Sequence, residues 1–256
     1  MLYNEFNENE KEIFKASDFM PKFEGCPKTI VSCFSTKLEQ MFVEKYNPLV
    51  IGEIKAGGAF PIYMFEYNGV KMGFVRWPVG SSASAVMMEE LSAFGFQNFL
   101  IAGTCGVLDE NLPKYALIVP KVAVRDEGTS FHYAKPSQEI ELNKENVEKV
   151  GMYLEDNGYV FTYGKTWTTD AIYRETKERA ERRKKEGCIC VEMECSALTA
   201  ISNFRHLNFA QILYGADIVA EGKHDFRNLV SEGRDLSKEE KILNLLVDLG
   251  YSIYEK

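Results

Sequence analysis

Glu192 and Glu194 stand two residues apart in the run Val191-Glu192-Met193-Glu194-Cys195-Ser196-Ala197-Leu198. Paired carboxylates at this spacing suit a ligand rich in hydroxyl groups. On an extended segment both side chains face the same way. Two carboxylates held together are costly unless each accepts strong hydrogen bonds, and sugar hydroxyls are donors of that kind. Met193 between them offers a soft apolar surface, although plain core filling suits it as well. The small and apolar residues that follow suit a helix start, so the bland alternative is an exposed acidic turn ahead of an amphipathic helix.

A second acid, Asp217, ends the apolar run Gln211-Ile212-Leu213-Tyr214-Gly215-Ala216, which places it at the carboxyl end of a strand. Ligands of open α/β sheets bind at such ends, and an acid there is a proton-donor candidate. Turn or helix capping is the commoner work of an Asp in that position. Gly103-Thr104-Cys105-Gly106 follows an apolar stretch and reads as a turn. Its glycines let a backbone approach a ligand closely, and backbone N–H groups with the Thr104 hydroxyl can bind an anion such as phosphate.

The elements that must position these groups alternate. Residues 29–34 read as a first strand, 38–46 as a short helix ended before Pro48, and 62–67 with 70–77 as a hairpin around Asn68-Gly69. Residues 81–94 read as an amphipathic helix, 98–102 as a buried strand and 115–124 as a further β-branched stretch. Beyond them, 143–157 reads as a helix stopped by Gly158, 159–166 as a strand, and 174–186 as a charged helix stopped by Gly187. Residues 188–192 read as a strand, 194–203 as a helix and 210–216 as a strand, and Ser237-Lys238-Glu239-Glu240 as a capping box opening the last helix. Residues 1–27, with Pro21, Gly25 and Pro27, read as an N-terminal arm to one domain over 28–256. This alternation predicts a single-domain three-layer α/β/α sandwich around a mixed, largely buried sheet.

Composition narrows the function classes. The chain has 256 residues, 45% of them hydrophobic, and a net charge of −8, which argues against a nucleic-acid partner. No apolar run is long enough to span a membrane, and the acidic N-terminus is unlike a signal peptide. The six cysteines include no C-x-x-C pair and read as free thiols of a reducing cytoplasm. Cys188, Cys190 and Cys195 are better read as small buried hydrophobes than as a metal site.

The acidic run resembles the Val-Glu-Met-Glu signature of the nucleoside phosphorylase family, which includes purine nucleoside phosphorylases, uridine phosphorylases and methylthioadenosine nucleosidases. Gly103-Thr104-Cys105-Gly106 resembles that family's Gly-Ser/Thr-x-Gly turn, and Asp217 its acid facing the purine. Val124-Arg125-Asp126-Glu127-Gly128-Thr129-Ser130-Phe131-His132-Tyr133 resembles the Arg-x-Asp-Gly-x-Ser-x-His stretch of uridine phosphorylases. The segment from Thr168-Thr169-Asp170-Ala171-Ile172-Tyr173 onward is more similar to the purine enzymes. The resemblance covers roughly residues 29 to 222.

It implies cleavage of an N-ribosidic bond, with the sugar gaining oxocarbenium character as in glycosidases. By it, Glu192, Met193 and Glu194 hold ribose, with Glu194 favouring the cationic transition state, and Asp217 assists a departing purine. Gly103, Thr104, Arg76 and Lys37 lie on the phosphate or nucleophile side. Ile172, Tyr173, Cys105 and Gly106 lie beside the base, with Arg125, His132 and Arg174 as further candidates. Ordinary packing suits Tyr173, a structural role suits His132, and a surface ion pair suits Arg76 as well. No metal or organic cofactor is implied; phosphate is the co-substrate, and a homodimer or hexamer is expected. The chain departs from the pattern at the phosphate arginines. Cys33-Phe34-Ser35-Thr36-Lys37 stands where the family has Gly-Asp-Pro-x-Arg, Ile101 where it has a second Arg, and Gly57-Gly58 near a third. Phosphorolysis, hydrolysis by water, and nucleoside binding without turnover therefore all remain open.

Overall fold

The computed structural model describes residues 4–55, 57–109, 111–112, 117–218 and 238–256, with backbone alone for 216–218. The elements are β1 (Thr29–Cys33), α1 (Thr36–Tyr46), β2 (Leu49–Ile54), β3 (Phe60–Tyr67), β4 (Val70–Arg76), α2 (Ser81–Phe94), β5 (Asn98–Val107) and β6 (Leu117–Asp126). They continue with β7 (Glu139–Glu141), α3 (Lys144–Asp156), β8 (Phe161–Thr169), α4 (Lys177–Lys185), β9 (Cys188–Glu192), α5 (Cys195–Arg205), β10 (Asn208–Ile218) and α6 (Lys238–Tyr254).

β1 is buried along its whole length, as strands covered on both faces are. It pairs in parallel with β4 and β5, and β5 pairs in parallel with β10. These four strands share one direction, so their carboxyl ends collect on one side of the molecule. Asn68 and Gly69, at φ 50° and 79°, make the tight β3–β4 hairpin turn that their residue types allow. α1, α3 and α6 pack together over one face of the sheet, and α2 and α5 pack against each other on the opposite face. The result is a mixed sheet between two helical layers, the architecture the alternating sequence pattern predicts.

Two features go beyond that expectation. The Gly103–Gly106 segment is not a turn. It is the second half of β5, held extended because β10 pairs along one edge while β9 takes over the other beyond the end of β1. The sheet also closes on itself locally, through β5–β9, β9–β8, β8–β6, β6–β10 and β10–β5 pairings. In this ring β9 runs antiparallel to β5, with Val191 opposite Gly106. The chain leaving β9, which carries Glu192 to Glu194, is thereby returned to the carboxyl ends of the parallel strands. Two strands, β2 and β7, are additional to the predicted set, and the last predicted strand is longer, so that Asp217 lies inside β10 rather than beyond it. Among residues 4–27 the regular structure is a helical turn at Ala16–Asp18, and Phe23 stacks on Phe94 of α2. Ser237 of the expected capping box and Tyr115 lie outside the described residues. No helix among the described residues is long and apolar enough to cross a membrane.

Candidate active site

Glu192 ends β9 and Glu194 caps α5, both 5% exposed. Their environments differ. Glu192 accepts from the Thr166 and Thr168 hydroxyls at 3.2 and 2.6 Å through one oxygen, and from the N–H groups of Glu194 and Cys195 at 2.8 and 2.6 Å through the other. Two of these donors open α5, where the helix end favours a negative charge. Glu192 is saturated by the protein itself. Glu194 Oε1 accepts from the Gly80 N–H at 2.6 Å, which leaves its carboxyl with acceptor capacity for a ligand.

Gly80 caps α2 at φ 98° and ψ 144°, a conformation that glycine reaches without strain. The Ser81 hydroxyl donates to the Met193 carbonyl at 2.7 Å. The amino ends of α2 and α5 therefore converge on the same turn. Burial, and after it the Glu192 carboxylate, pushes the Glu194 carboxyl up to about 8. Burial also raises Glu192, against the opposing pull of its own donors. With fewer and weaker donors among the described residues, the Gly80 and Met193 N–H groups against four for Glu192, Glu194 is the member of the pair that keeps the proton.

The remaining sequence candidates divide by place. Gly103, Thr104, Cys105 and Gly106 line β5 where β10 and β9 meet it. Thr104 is exposed, Cys105 is 3% exposed, and the Phe34 and Leu213 side chains close over Gly103. Asp217 is in register with Gly106 across the β10–β5 ladder, and its side chain lies outside the described residues. Arg76 ends β4 opposite Cys33, where its Nε donates to Glu39 at 2.8 Å and its guanidinium lies 4.8 Å from the Phe60 ring. Lys37 pairs with Glu239 of α6 at 2.7 Å. Met193 is half-buried.

The others make no hydrogen bond to Glu192 or Glu194 among the described residues. Ile172, Tyr173 and Arg174 form a short helical turn beyond β8, with Ile172 52% and Tyr173 98% exposed. His132 is exposed at the end of another short turn. Arg125 is buried and donates to the Ser130 and Ser137 hydroxyls and to the carbonyls of Lys135 and Ala134, which makes it the pin of the 128–137 loop. The cysteines of the acidic region are buried free thiols. Burial pushes Cys188 up to about 12, and Cys195 is raised well above its usual value, so both stay neutral.

A family model described as the phosphorylase superfamily matches residues 29–247. The chain belongs to that superfamily. Its relatives include a guanosine phosphorylase of Halorubrum lacusprofundi, 26% identical over 60% of this chain and 64% of the relative. A uridine phosphorylase of Thermococcus kodakarensis is 30% identical over 42% of this chain and 39% of its own length. A DeoD-type purine nucleoside phosphorylase of Bacillus cytotoxicus is 23% identical over 61% and 68%. The chain thus spans less than two thirds of the first two relatives. Among solved structures, a uridine phosphorylase of Vibrio fischeri ES114 superposes with a TM-score of 0.77, covering 96% of this chain and 100% of that one at 18% identity, a likeness of fold.

Several groups at this candidate site were not among the residues singled out from the sequence. Gly80 and Ser81 were legible only as a loop before a helix, although a helix start always offers free N–H donors. Thr166 and Thr168 sit in β8, and Ser196 joins Thr168 through its N–H and Glu127 through its hydroxyl, both far off in sequence. Lys238 brings an ammonium to the end of β10, 3.4 Å from the Gly215 carbonyl and 5.2 Å from the centre of the Tyr214 ring. Gly215 and Tyr214 are the register partners of Cys105 and Thr104.

Proposed function

We propose that this chain cleaves the N-glycosidic bond of a purine nucleoside with phosphate, giving the free base and ribose 1-phosphate. The carrying observation is the asymmetry of the two buried carboxylates. Among the described residues Glu192 is filled by four protein donors, while Glu194 accepts a short bond from the Gly80 N–H with a weaker pull from the Met193 N–H, and so keeps open acceptor sites. A vicinal diol supplies two hydroxyl donors, the complement of a carboxylate with open acceptor sites. Those donors stabilise the ionised form, so the Glu194 anion forms as the ribose seats. It then stands close to a sugar that becomes oxocarbenium-like as the bond to the base breaks, and its charge favours that state.

The nucleophile side is the β5 segment with the exposed Thr104 and, by register, the neighbouring Lys238. The purine choice is supported by Asp217 at the end of β10 as a proton donor to the leaving base, and by the guanosine and purine nucleoside phosphorylases among the relatives.

Hydrolysis is the second reading, and a specific observation favours it. Lys37 and Arg76 are both engaged by carboxylates, and Ile101 is fully buried and apolar where the family resemblance asks for a cation. The test is a panel of guanosine, inosine, adenosine and uridine incubated with and without phosphate, with free base and ribose 1-phosphate quantified. Phosphate-dependent purine release is expected. Equal release without phosphate assigns water as the nucleophile, and no release from any nucleoside rejects the enzymatic reading in favour of a binding protein.

A further inference from the structure

The buried groups behind Glu192 form one continuous network of hydrogen bonds, in which Ser196 donates both ways, its hydroxyl to Glu127 and its backbone N–H to Thr168. Glu127, just past the end of β6, accepts the Ser130 N–H at 2.9 Å with one oxygen and the Ser196 hydroxyl at 2.9 Å with the other. The Ser196 N–H donates to the Thr168 hydroxyl oxygen at 3.0 Å, and Thr168 spends its single hydroxyl proton on Glu192 at 2.6 Å. Glu192 then accepts the N–H of Glu194 itself. Every member is buried: Glu127 is 5% exposed, and Ser130, Thr168 and Ser196 are each 0% exposed. The Ser196 and Thr168 hydroxyls each have one proton and one carboxylate acceptor here, so turning either away leaves a buried carboxylate oxygen short of a donor.

We propose that Glu127 is a positioning residue for Glu194, acting through Ser196, Thr168 and Glu192. The inference rests on the nucleoside reading above for its consequence in turnover. Its physical content is independent of that reading. Glu127 clamps the first turn of α5 by Ser196, and Glu194 is the cap of that helix. The clamp therefore fixes where the Glu194 carboxyl sits relative to β5 and Gly80. A carboxylate that must meet two hydroxyls tolerates only about 0.5 Å of displacement. Arg125, two residues before Glu127, pins the far side of the same loop through Ser130, so the clamp has a rigid base. The ionisable groups around the pair include Glu127 just past β6, Cys105 from β5, Cys190 from β9 and Cys195 from α5, with Arg125 the cation behind Glu127.

The experiment compares Glu127→Gln, Thr168→Val, Ser196→Ala and the Glu127→Gln/Thr168→Val double variant with wild type. Each single variant is expected to lower kcat/KM for the nucleoside about tenfold or more while KM for phosphate stays within about twofold, since residues acting as a unit are lost together. For the same reason the double variant should fall no more than about threefold below the worse single one. Multiplying losses, or single variants at wild-type turnover, overturn the proposal. A second readout needs no turnover: the 13C titration of the Glu194 carboxyl, assigned with Glu194→Gln. Weaker anchoring of Glu192 passes part of the proton to it, so the Glu194 midpoint should drop by about half a pH unit or more in each variant. An unmoved midpoint in folded protein overturns the proposal even if no nucleoside is cleaved, whereas a moved midpoint without turnover upholds the clamp and rejects the nucleoside reading. Ser196→Ala, which removes one hydroxyl and keeps both carboxylates, decides the matter if the other variants do not fold.

Discussion

Replacing Glu194 with Gln should shift relative stability towards the variant by an amount that grows with pH. In the folded chain burial and the neighbouring Glu192 push the Glu194 carboxyl from its ordinary 4.5 up to about 8. Unfolded, it loses its proton near the ordinary value. Between these limits the folded state binds more protons than the unfolded one, so unfolding becomes easier as pH rises. The favourable contribution is complete below the unfolded value and is lost as pH climbs through the folded one. From about pH 5 to pH 7 the accumulated cost is about 2–3 kcal/mol.

Gln keeps an acceptor for the Gly80 N–H and carries no titrating proton, and it also relieves Glu192 of a like-charged neighbour. Any fixed cost of its amide is independent of pH, so the slope is the signal and the absolute difference is not. For a chain of this size 1 kcal/mol corresponds to about 2–4 °C, so the Tm of the variant relative to wild type should rise by roughly 5–10 °C from pH 5 to pH 7. Scanning fluorimetry or calorimetry at matched ionic strength measures it. Parallel Tm curves for the two proteins across that range would refute the assignment of a retained proton to Glu194, and with it the claim that Glu194 is the under-donated member of the pair.

Two further outcomes follow from single residues. Gly80→Ala should lower stability by about 1–3 kcal/mol, because φ 98° with ψ 144° is a conformation an alanine reaches only with strain; denaturant unfolding checks it, and the same variant should weaken nucleoside binding by tilting the N–H aimed at Glu194. Gln211→Leu should be neutral or stabilising by about 1 kcal/mol, because Gln211 is 2% exposed and neither polar atom of its side chain has a hydrogen-bond partner among the described residues; a loss above about 2 kcal/mol in urea unfolding would show that the amide is satisfied after all.

Local chemistry made much of the fold legible. Asn68-Gly69 dictates its hairpin because both residues tolerate positive φ. The run 81–94 becomes a helix because Gly80 opens it and Gly95, at φ 138°, closes it. Where the local reading fails, a long-range pairing has overruled it. Glycines in Gly103–Gly106 suggest a turn, yet pairing with β10 and β9 keeps the segment extended. β2 escaped notice because its Leu49 and Val50 remain 62% and 56% exposed, which blurs the alternation a half-buried strand should show. β7 is three residues long with charges at both ends.

The same division governs the site. The motif Glu192-Met193-Glu194 is visible because its members are neighbours, but the sequence presents its two acids as equivalents. What separates them is where their donors come from. Two of the donors to Glu192 are local N–H groups, supplied as the chain turns from β9 into α5, and two are hydroxyls from β8, brought alongside by parallel pairing of Thr168 with Glu192. The short N–H bond to Glu194 comes from Gly80, 114 residues away. Spacing in the sequence can announce that two carboxylates share a place. Which of them is structural and which is free to meet a ligand is decided by strand order. The antiparallel return of β9 alongside β5 carries Glu194 past the β8 hydroxyls to the open ends of the parallel strands, and leaves Glu192 among them.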